Sequence, residues 1–296
     1  MIRAAQETTN SHWNAKPETP SGKGSSDENF PVGSFLLPAH LRPHVAAFYA
    51  LVRAGDDIAD NPELAAQDKV DRLDALQAAL KGEPGYGAGY QKAHGLRASL
   101  DITGVTDQHA CDLLSAFRQD AVKLRYANWQ ELLGYCELSA NPVGRFLLDL
   151  HGEDNSGYVY SDGLCTVLQI INHLQDCADD YKQLDRVYIP EDWMTAHGVS
   201  VVDLAGPASN QGLRAVLDQV LAGVDHMLPT ALKLPAALKN RRLAMESSTI
   251  IRLAVRLTAR LKRQDPLAER IELSKVDFAL SGLTGIAEGL FGSRPQ

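Results

Sequence analysis

The sequence predicts an all-α protein, and three observations lead to this fold class. Alanine and leucine are abundant while aromatic residues make up only 6% of the chain, a composition that favours helices over sheets. No segment shows the sustained apolar–polar alternation of a half-buried strand. Apolar residues instead recur at helical spacing, with Gly and Pro mostly between the segments. The predicted helices cover residues 41–60, 64–80, 90–100, 107–126, 129–150, 158–184, 212–232, 241–264 and 272–289.

Residues with known capping or breaking roles bound several of these helices. Pro43 falls in the first turn of the first helix, where proline is tolerated, and Pro62 follows its end. Thr106 is a candidate N-cap for the helix that starts near residue 107. These local signals agree with the periodicity of the apolar residues.

Composition and charge restrict the class of partner. The 296-residue chain has 45% hydrophobic and 22% charged residues, as in a soluble globular protein with a large core. Its formal net charge of -8 argues against a nucleic-acid partner, because phosphate backbones are bound by clustered Lys and Arg. It does not argue against a phosphorylated substrate, since a divalent metal can bridge carboxylates to phosphate.

The ends and the cysteines of the chain indicate where the protein works. Residues 1–28 are polar, and we predict that they are disordered and precede one all-α domain over residues 29–296. No apolar run reaches about 18 residues, so no transmembrane helix is expected. Four cysteines without a Cys-x-x-Cys pair indicate a reducing cytosol. We expect a cytoplasmic protein, with peripheral contact to the inner membrane as an open alternative.

The first chemical feature is a group of carboxylates near the end of the first predicted helix. Asp56 and Asp60 are four residues apart, so both carboxylates stand on one helix face. Their repulsion costs roughly a few tenths of a kcal/mol, and the negative end of the helix dipole adds to this cost. A cation between them would remove both penalties. The alternative is a solvated helix end, which is the usual setting of an isolated Asp-x-x-x-Asp.

A second group of polar residues lies on the longest predicted helix. Asn172, Asp176 and Asp180 follow each other at intervals of four, and Gln169 precedes Asn172 by three. Much of the remaining helix surface is apolar, so this polar stripe belongs to a helix that looks buried. Oxygen ligands of this kind suit a hard cation such as Mg²⁺. His173 falls beside the stripe, and we expect it to have a structural or supporting role.

Two residues that follow this stripe are weaker candidates. Arg186 and Tyr188 are near enough in sequence to contact a phosphate, and an ordinary loop after a helix is the alternative. Cys136 is predicted to take part in helix packing and not to act as a nucleophile.

At these residues the chain resembles the squalene and phytoene synthase family. The resemblance covers roughly residue 29 to the end of the chain. It implies the all-α isoprenoid synthase fold, a single bundle in which two acidic helices face each other across a central cavity. The matching residues are the two aspartate-rich motifs and their neighbours: Tyr49, Arg53, Asp56, Asp57, Asp60, Tyr135, Cys136, Val143, Gly144, Leu168, Gln169, Asn172, Asp176, Asp180, Tyr181, Arg186, Tyr188 and Pro190.

The resemblance also implies the chemistry of the site. The protein is expected to be a magnesium-dependent enzyme that acts on a prenyl diphosphate and needs no nicotinamide. Catalysis is assigned to Asp56, Asp60, Asp176 and Asp180. The Mg²⁺ ligands are these four residues together with Asn172. Contacts to the diphosphate are assigned to Tyr49, Arg53, Gln169, Tyr181, Arg186 and Tyr188.

Within the family, residues 29–38 and 139–145 resemble a bacterial branch that works in hopanoid biosynthesis. Most relatives have Val-Ala-Gly where this chain has Ser-Ala-Asn at 139–141, and Arg-Asp where it has Gln-Asp at 175–176. The missing arginine removes a cation near the diphosphate, which fits an enzyme that receives presqualene diphosphate ready-made. The implied reaction converts presqualene diphosphate and water to hydroxysqualene and diphosphate.

Three other functions stay open on the sequence. The first is a presqualene diphosphate or squalene synthase that condenses two farnesyl diphosphates, which product analysis would distinguish. The second is a non-catalytic assembly factor, which should have lost the acidic motifs that this chain keeps. The third is a lipid-binding protein without chemistry. Other enzymes of squalene synthesis are candidate partners.

Overall fold

The computed structural model describes residues 37–291, with side chains described as far as residue 285. The segment predicted to be disordered, 1–28, lies outside the described residues. The chain divides into two compact units that meet in sequence between Val122 and Lys123. The prediction that residues 29–296 form one domain therefore stays a prediction.

Within residues 37–122, the first unit contains four α-helices. α1 packs against α3 and α4, and α2 also packs against both of them. Leucines from all four helices are almost completely buried and form the core of the unit. The four helices are α1 (Arg42–Ala59), α2 (Ala66–Lys81), α3 (Gln91–Thr103) and α4 (Gln108–Val122).

The second unit is built around α7, the longest helix of the described residues. α7 packs against α5, α6, α9 and α11, so several of its faces meet other helices. The last described helix, α12, packs along α11. The helices of this unit are α5 (Trp129–Ser139), α6 (Asn141–Leu150), α7 (Tyr158–Leu184), α8 (Glu191–Ala196), α9 (Gln211–Ala231), α10 (Leu234–Ala237), α11 (Arg241–Leu261) and α12 (Lys275–Phe291).

The all-α prediction is confirmed. No β-strand occurs between residues 37 and 291, where an isolated parallel bridge joins Arg125 to Val187. No helix in this part of the chain is both long and apolar enough to cross a membrane. Seven of the nine predicted helices are found within a few residues of their predicted bounds.

Some helix boundaries were predicted wrongly. The segment 129–150 is two helices, because the chain leaves helical geometry at Ala140 (φ −127°) and proline occupies the first turn of the next helix. The helix predicted to reach residue 126 ends at Val122. The short helices α8 and α10 were not predicted, since their few residues show no complete apolar period.

Candidate active site

The carboxylates of the first acidic cluster lie at the C-terminal end of α1. Asp56 and Asp57 are in the last turn, and Asp60 is the C-cap residue. The backbone N–H of Asp60 donates a hydrogen bond to the carbonyl of Asp56 at 2.9 Å, so helical geometry continues through Asp60. The last turn holds no basic residue and carries the negative end of the helix dipole. This end of α1 therefore favours a bound cation.

Arg53 lies one turn before these carboxylates and is paired with two of them. Its Nη1 is 3.0 Å from Asp56 Oδ2, and its Nη2 is 2.9 Å from Asp57 Oδ1. Its Nε also donates to Asp57 Oδ1 at 3.1 Å. The Asp57 side chain is 5% exposed, so this ion pair is largely shielded from water. Asp57 therefore has a structural role, because it is paired with a residue of its own helix.

The pKa of Asp56 reflects its burial and the repulsion from nearby carboxyls. Burial raises the pKa of Asp56 to about 7, and repulsion from Asp60, Asp57 and Asp120 adds to the shift while Arg53 opposes it. Asp120 is a buried residue of α4 that sequence reasoning missed, because its neighbours in the chain carry no recognisable motif. The negative charge of these carboxyls is only partly balanced by Arg53. A divalent cation would therefore stabilise the cluster.

The second acidic stripe is found as predicted on α7. Gln169, Asn172, Asp176 and Asp180 are each partly buried, and they share one face of the helix. The adjoining faces carry Ile170, Ile171 and Leu174, which are 2% exposed or less, and the partly buried Leu168. The stripe is consequently the polar face of a core helix, and its four side chains are held on a rigid element.

His173 contacts this stripe directly. Its Nε2 lies 3.1 Å from Nε2 of Gln169, and its Nδ1 lies 4.0 Å from Oδ2 of Asp180. The imidazole is stacked on the ring of Tyr188, with centroids 3.7 Å apart and planes inclined by 13°. Burial and the positive charge of Arg186 lower the pKa of His173 to about 3, so the ring is neutral at physiological pH.

The segment after α7 is buried, so it is not an ordinary surface loop. α7 ends at Leu184, and the φ of 52° at its C-cap residue Asp185 lies in the left-handed region and turns the chain back. The N–H of Val187 then donates to the carbonyl of Leu124 at 2.9 Å. Arg186 is 6% exposed and Tyr188 is 8% exposed. Both candidates are therefore held beside α7.

The remaining diphosphate candidates lie on the same two helices as the acidic residues. Tyr49 is a partly buried residue of α1, one turn before Arg53. Tyr181 is partly buried on α7, and the guanidinium of Arg125 lies 6.0 Å from the centre of its ring.

Gln175 holds the chain between α11 and α12. Its Nε2 donates to the backbone carbonyl of Ile271 at 2.5 Å. Ile271 is 2% exposed, so the bond anchors a buried point of that segment. Sequence reasoning treated residue 175 as a missing cation and could not find this contact, because its partner lies 96 residues further along the chain.

The oxygen atoms of both groups are suitable ligands for Mg²⁺, although these side chains do not form a preformed metal-binding cage. Among the residues described, no three His, Cys, Asp or Glu side chains are gathered as a metal centre. Mg²⁺ seldom needs such a cage, since it keeps several waters and is held through one or two carboxylates plus substrate phosphates. The crowded carboxyls around Asp56 and the oxygen-only stripe on α7 are ligands of that kind.

Comparison with known proteins identifies the family of the chain. A family model, squalene/phytoene synthase, matches residues 24–277 and so includes both acidic groups. The chain belongs to the squalene/phytoene synthase family.

Relatives in this family are similar over nearly their whole length. A hydroxysqualene synthase from Rhodopseudomonas palustris is 41% identical over 282 residues, which are 94% of this chain and 96% of that protein. Another, from Sinorhizobium fredii, is 42% identical over 261 residues, 88% of each chain.

A solved structure confirms the predicted isoprenoid synthase fold. The squalene synthase HpnC from Alicyclobacillus acidocaldarius matches with a TM-score of 0.70 at 30% identity, over 81% of this chain and 90% of that one. The family and the all-α fold expected from the aspartate-rich motifs are thus both confirmed.

Proposed function

We propose that this protein is a hydroxysqualene synthase, which converts presqualene diphosphate and water to hydroxysqualene and diphosphate. The observation that carries the proposal is the identity of 41–42% to hydroxysqualene synthases over 88–94% of the chain. The intact acidic groups on α1 and α7 add to it, since a protein without catalysis would have no need of them.

The residues of both groups have defined roles in this proposal. Asp56 and Asp60 on one helix, and Asn172, Asp176 and Asp180 on the other, would hold Mg²⁺. When bound, the metal neutralises negative charge on the diphosphate and so makes it a better leaving group. Arg53 and Arg186 would contribute charge-assisted hydrogen bonds to the diphosphate. Gln169, Tyr49, Tyr181 and Tyr188 are the polar neighbours that orient the diphosphate.

The reaction proceeds by ionisation and capture. The carbon–oxygen bond to the diphosphate breaks, and both of its electrons leave with the diphosphate. The cyclopropylcarbinyl cation that remains rearranges, and the lone pair of a water molecule forms the new carbon–oxygen bond. The water then loses one proton, so that the products are an alcohol and protonated diphosphate. No reductant is consumed, which agrees with an enzyme that uses no nicotinamide.

The condensation of two farnesyl diphosphates is the second candidate function. It is favoured by the name of the matched structure, a squalene synthase with 30% identity. The replacement of arginine by Gln175, whose amide is engaged by Ile271, argues for the single-diphosphate reaction.

We further propose that the protein works in the cytoplasm and takes its lipid substrate at the surface of the inner membrane. All four cysteines are free thiols, as expected in a reducing compartment. Presqualene diphosphate must be supplied by an enzyme that joins two farnesyl units, and that enzyme is the natural partner.

The deciding experiment is to incubate the purified chain with Mg²⁺ and either presqualene diphosphate or farnesyl diphosphate, without nicotinamide. We expect hydroxysqualene from the first substrate only, identified by the mass of its extracted product and by incorporation of oxygen from labelled water. Presqualene diphosphate or squalene formed from farnesyl diphosphate would favour the second candidate. Binding of substrate without release of diphosphate would instead identify a lipid-binding protein.

A further inference from the structure

His173 bridges two members of the acidic stripe on α7. Its position in the helix, one residue after Asn172, places it beside the stripe. Its two ring nitrogens nevertheless face different stripe residues, with Nε2 at 3.1 Å from Gln169 and Nδ1 at 4.0 Å from Asp180. The side chains of His173 and Asp180 are 13% and 22% exposed, so these neighbours meet with little competition from water.

The chemistry of the neighbours determines where the imidazole carries its proton. The Gln169 atom nearest to Nε2 is the amide nitrogen, which can only donate, so Nε2 accepts and is unprotonated. The ring proton is then on Nδ1, the nitrogen that lies 4.0 Å from the Asp180 carboxylate. The opposite arrangement would place a nitrogen lone pair on the side of that carboxylate. This tautomer therefore accepts from the Gln169 amide and places the positive end of an N–H dipole on the side of Asp180.

Stacking prevents the ring from leaving this arrangement. The ring of Tyr188 lies parallel to the imidazole at 3.7 Å, and the ring of Tyr135 lies 5.9 Å from it on a tilted plane. Tyr188 and Tyr135 are themselves 8% and 4% exposed. A flat ring between buried aromatic neighbours has few alternative rotamers.

We propose that His173 is a positioning residue that orients the Gln169 amide and the Asp180 carboxylate for a divalent cation and its diphosphate. The inference rests on the proposed function. With the amide nitrogen of Gln169 engaged by the ring, its oxygen is the part of the amide that can serve a ligand. Nδ1 lies 4.0 Å from the Asp180 carboxylate, beyond hydrogen-bond distance, so its N–H acts on that carboxylate through the N–H dipole.

The test measures Mn²⁺ binding to the full-length protein in the presence of inorganic diphosphate, by calorimetry or by the loss of the free-ion EPR signal. His173→Phe keeps a flat ring on Tyr188 but removes both nitrogens. We expect its Mn²⁺ affinity to fall about 10-fold or more, the usual effect of losing a group that supports a metal ligand. Its melting temperature should change little because the stack is preserved.

His173→Asn makes the test independent of folding. Asparagine places an N–H donor near the Nδ1 position but removes the stacked ring. We expect it to be less stable than His173→Phe and yet to bind Mn²⁺ more tightly. A purely structural histidine predicts that affinity follows stability in both variants.

The outcomes separate this inference from the proposed function. Unchanged Mn²⁺ affinity in His173→Phe, or affinities that follow the melting temperatures, would overturn the positioning role alone. Absence of Mn²⁺ binding to the wild-type chain, or unchanged binding after Asp176→Ala, would overturn the metal site of the proposed function and this inference with it. His94→Phe, at an exposed histidine of α3, is the control for the substitution itself.

Discussion

Both acidic groups place aspartates near one another on a helix, but they differ in what surrounds these carboxylates. On α1 the carboxyls crowd the negative end of a helix, and the nearby cation Arg53 is divided between Asp56 and Asp57. On α7 the polar residues lie within a long helix, one turn apart, with a neutral His173 beside them. The carboxyls of the α1 group therefore repel one another, whereas the side chains of the α7 group are held at regular positions by the helix.

This difference separates two ways of preparing a site for a cation. Repulsion among carboxyls raises the energy of the metal-free state, so a bound cation stabilises the whole helix end. Supporting contacts to an ordered stripe instead reduce the reorganisation needed when the ligand arrives. The α1 group should therefore respond more to pH, and the α7 group more to changes in the groups that support it.

The largest expected effect follows loss of a carboxylate from the ordered stripe. Asp176→Asn keeps the size of the side chain but removes its charge, and we expect turnover of presqualene diphosphate to fall roughly 10²–10³-fold, as for other losses of transition-state charge stabilisation. Release of diphosphate measures the effect. The matched control is Asp179→Asn, on an exposed position of the same helix, which should stay near wild type. Equal activity of the two variants would contradict the assignment of the stripe.

The next effect concerns stability in the α1 group. Asp57→Ala leaves Arg53 without its most buried partner, and we expect the free energy of unfolding to fall by about 1–3 kcal/mol. Urea denaturation of the metal-free protein measures this value. Asp74→Ala, which breaks an ion pair with Arg118 in which Asp74 is 60% exposed, should cost less than about 1 kcal/mol. A similar loss in both variants would show that the Asp57 pair is no stronger than a surface pair.

The third effect is a change in pH dependence. The pKa of Asp56 is about 7 in the folded protein, against an ordinary value of 3.8. Between these values the folded state holds a proton that the unfolded chain has lost, so stability should decrease as the pH rises from about 4 to about 7. Asp56→Asn removes this contribution. In EDTA its melting temperature should equal that of the wild type near pH 4 and exceed it at pH 8. Parallel melting curves across this range would contradict the shift.

Much of the fold and part of the candidate site were predictable because both depend on local spacing. Apolar periodicity located α7 at its observed ends, and the interval of four placed Asn172, Asp176 and Asp180 on one face. The break at Ala140 was missed because the proline that follows it is compatible with a first helical turn and with a kink. The meeting of the two acidic groups across a cavity stays a prediction.

Contacts between residues that are far apart in the chain could not be predicted from the sequence. Asp120, on α4, interacts electrostatically with Asp56 on α1. Gln175 donates a hydrogen bond to the carbonyl of Ile271, and the ring of Tyr188 stacks on His173. Helical spacing is a property of a few consecutive residues, so it can be read directly from the order of amino acids. Each of these contacts instead depends on how separate elements pack, and packing is settled by the burial of the whole core at once.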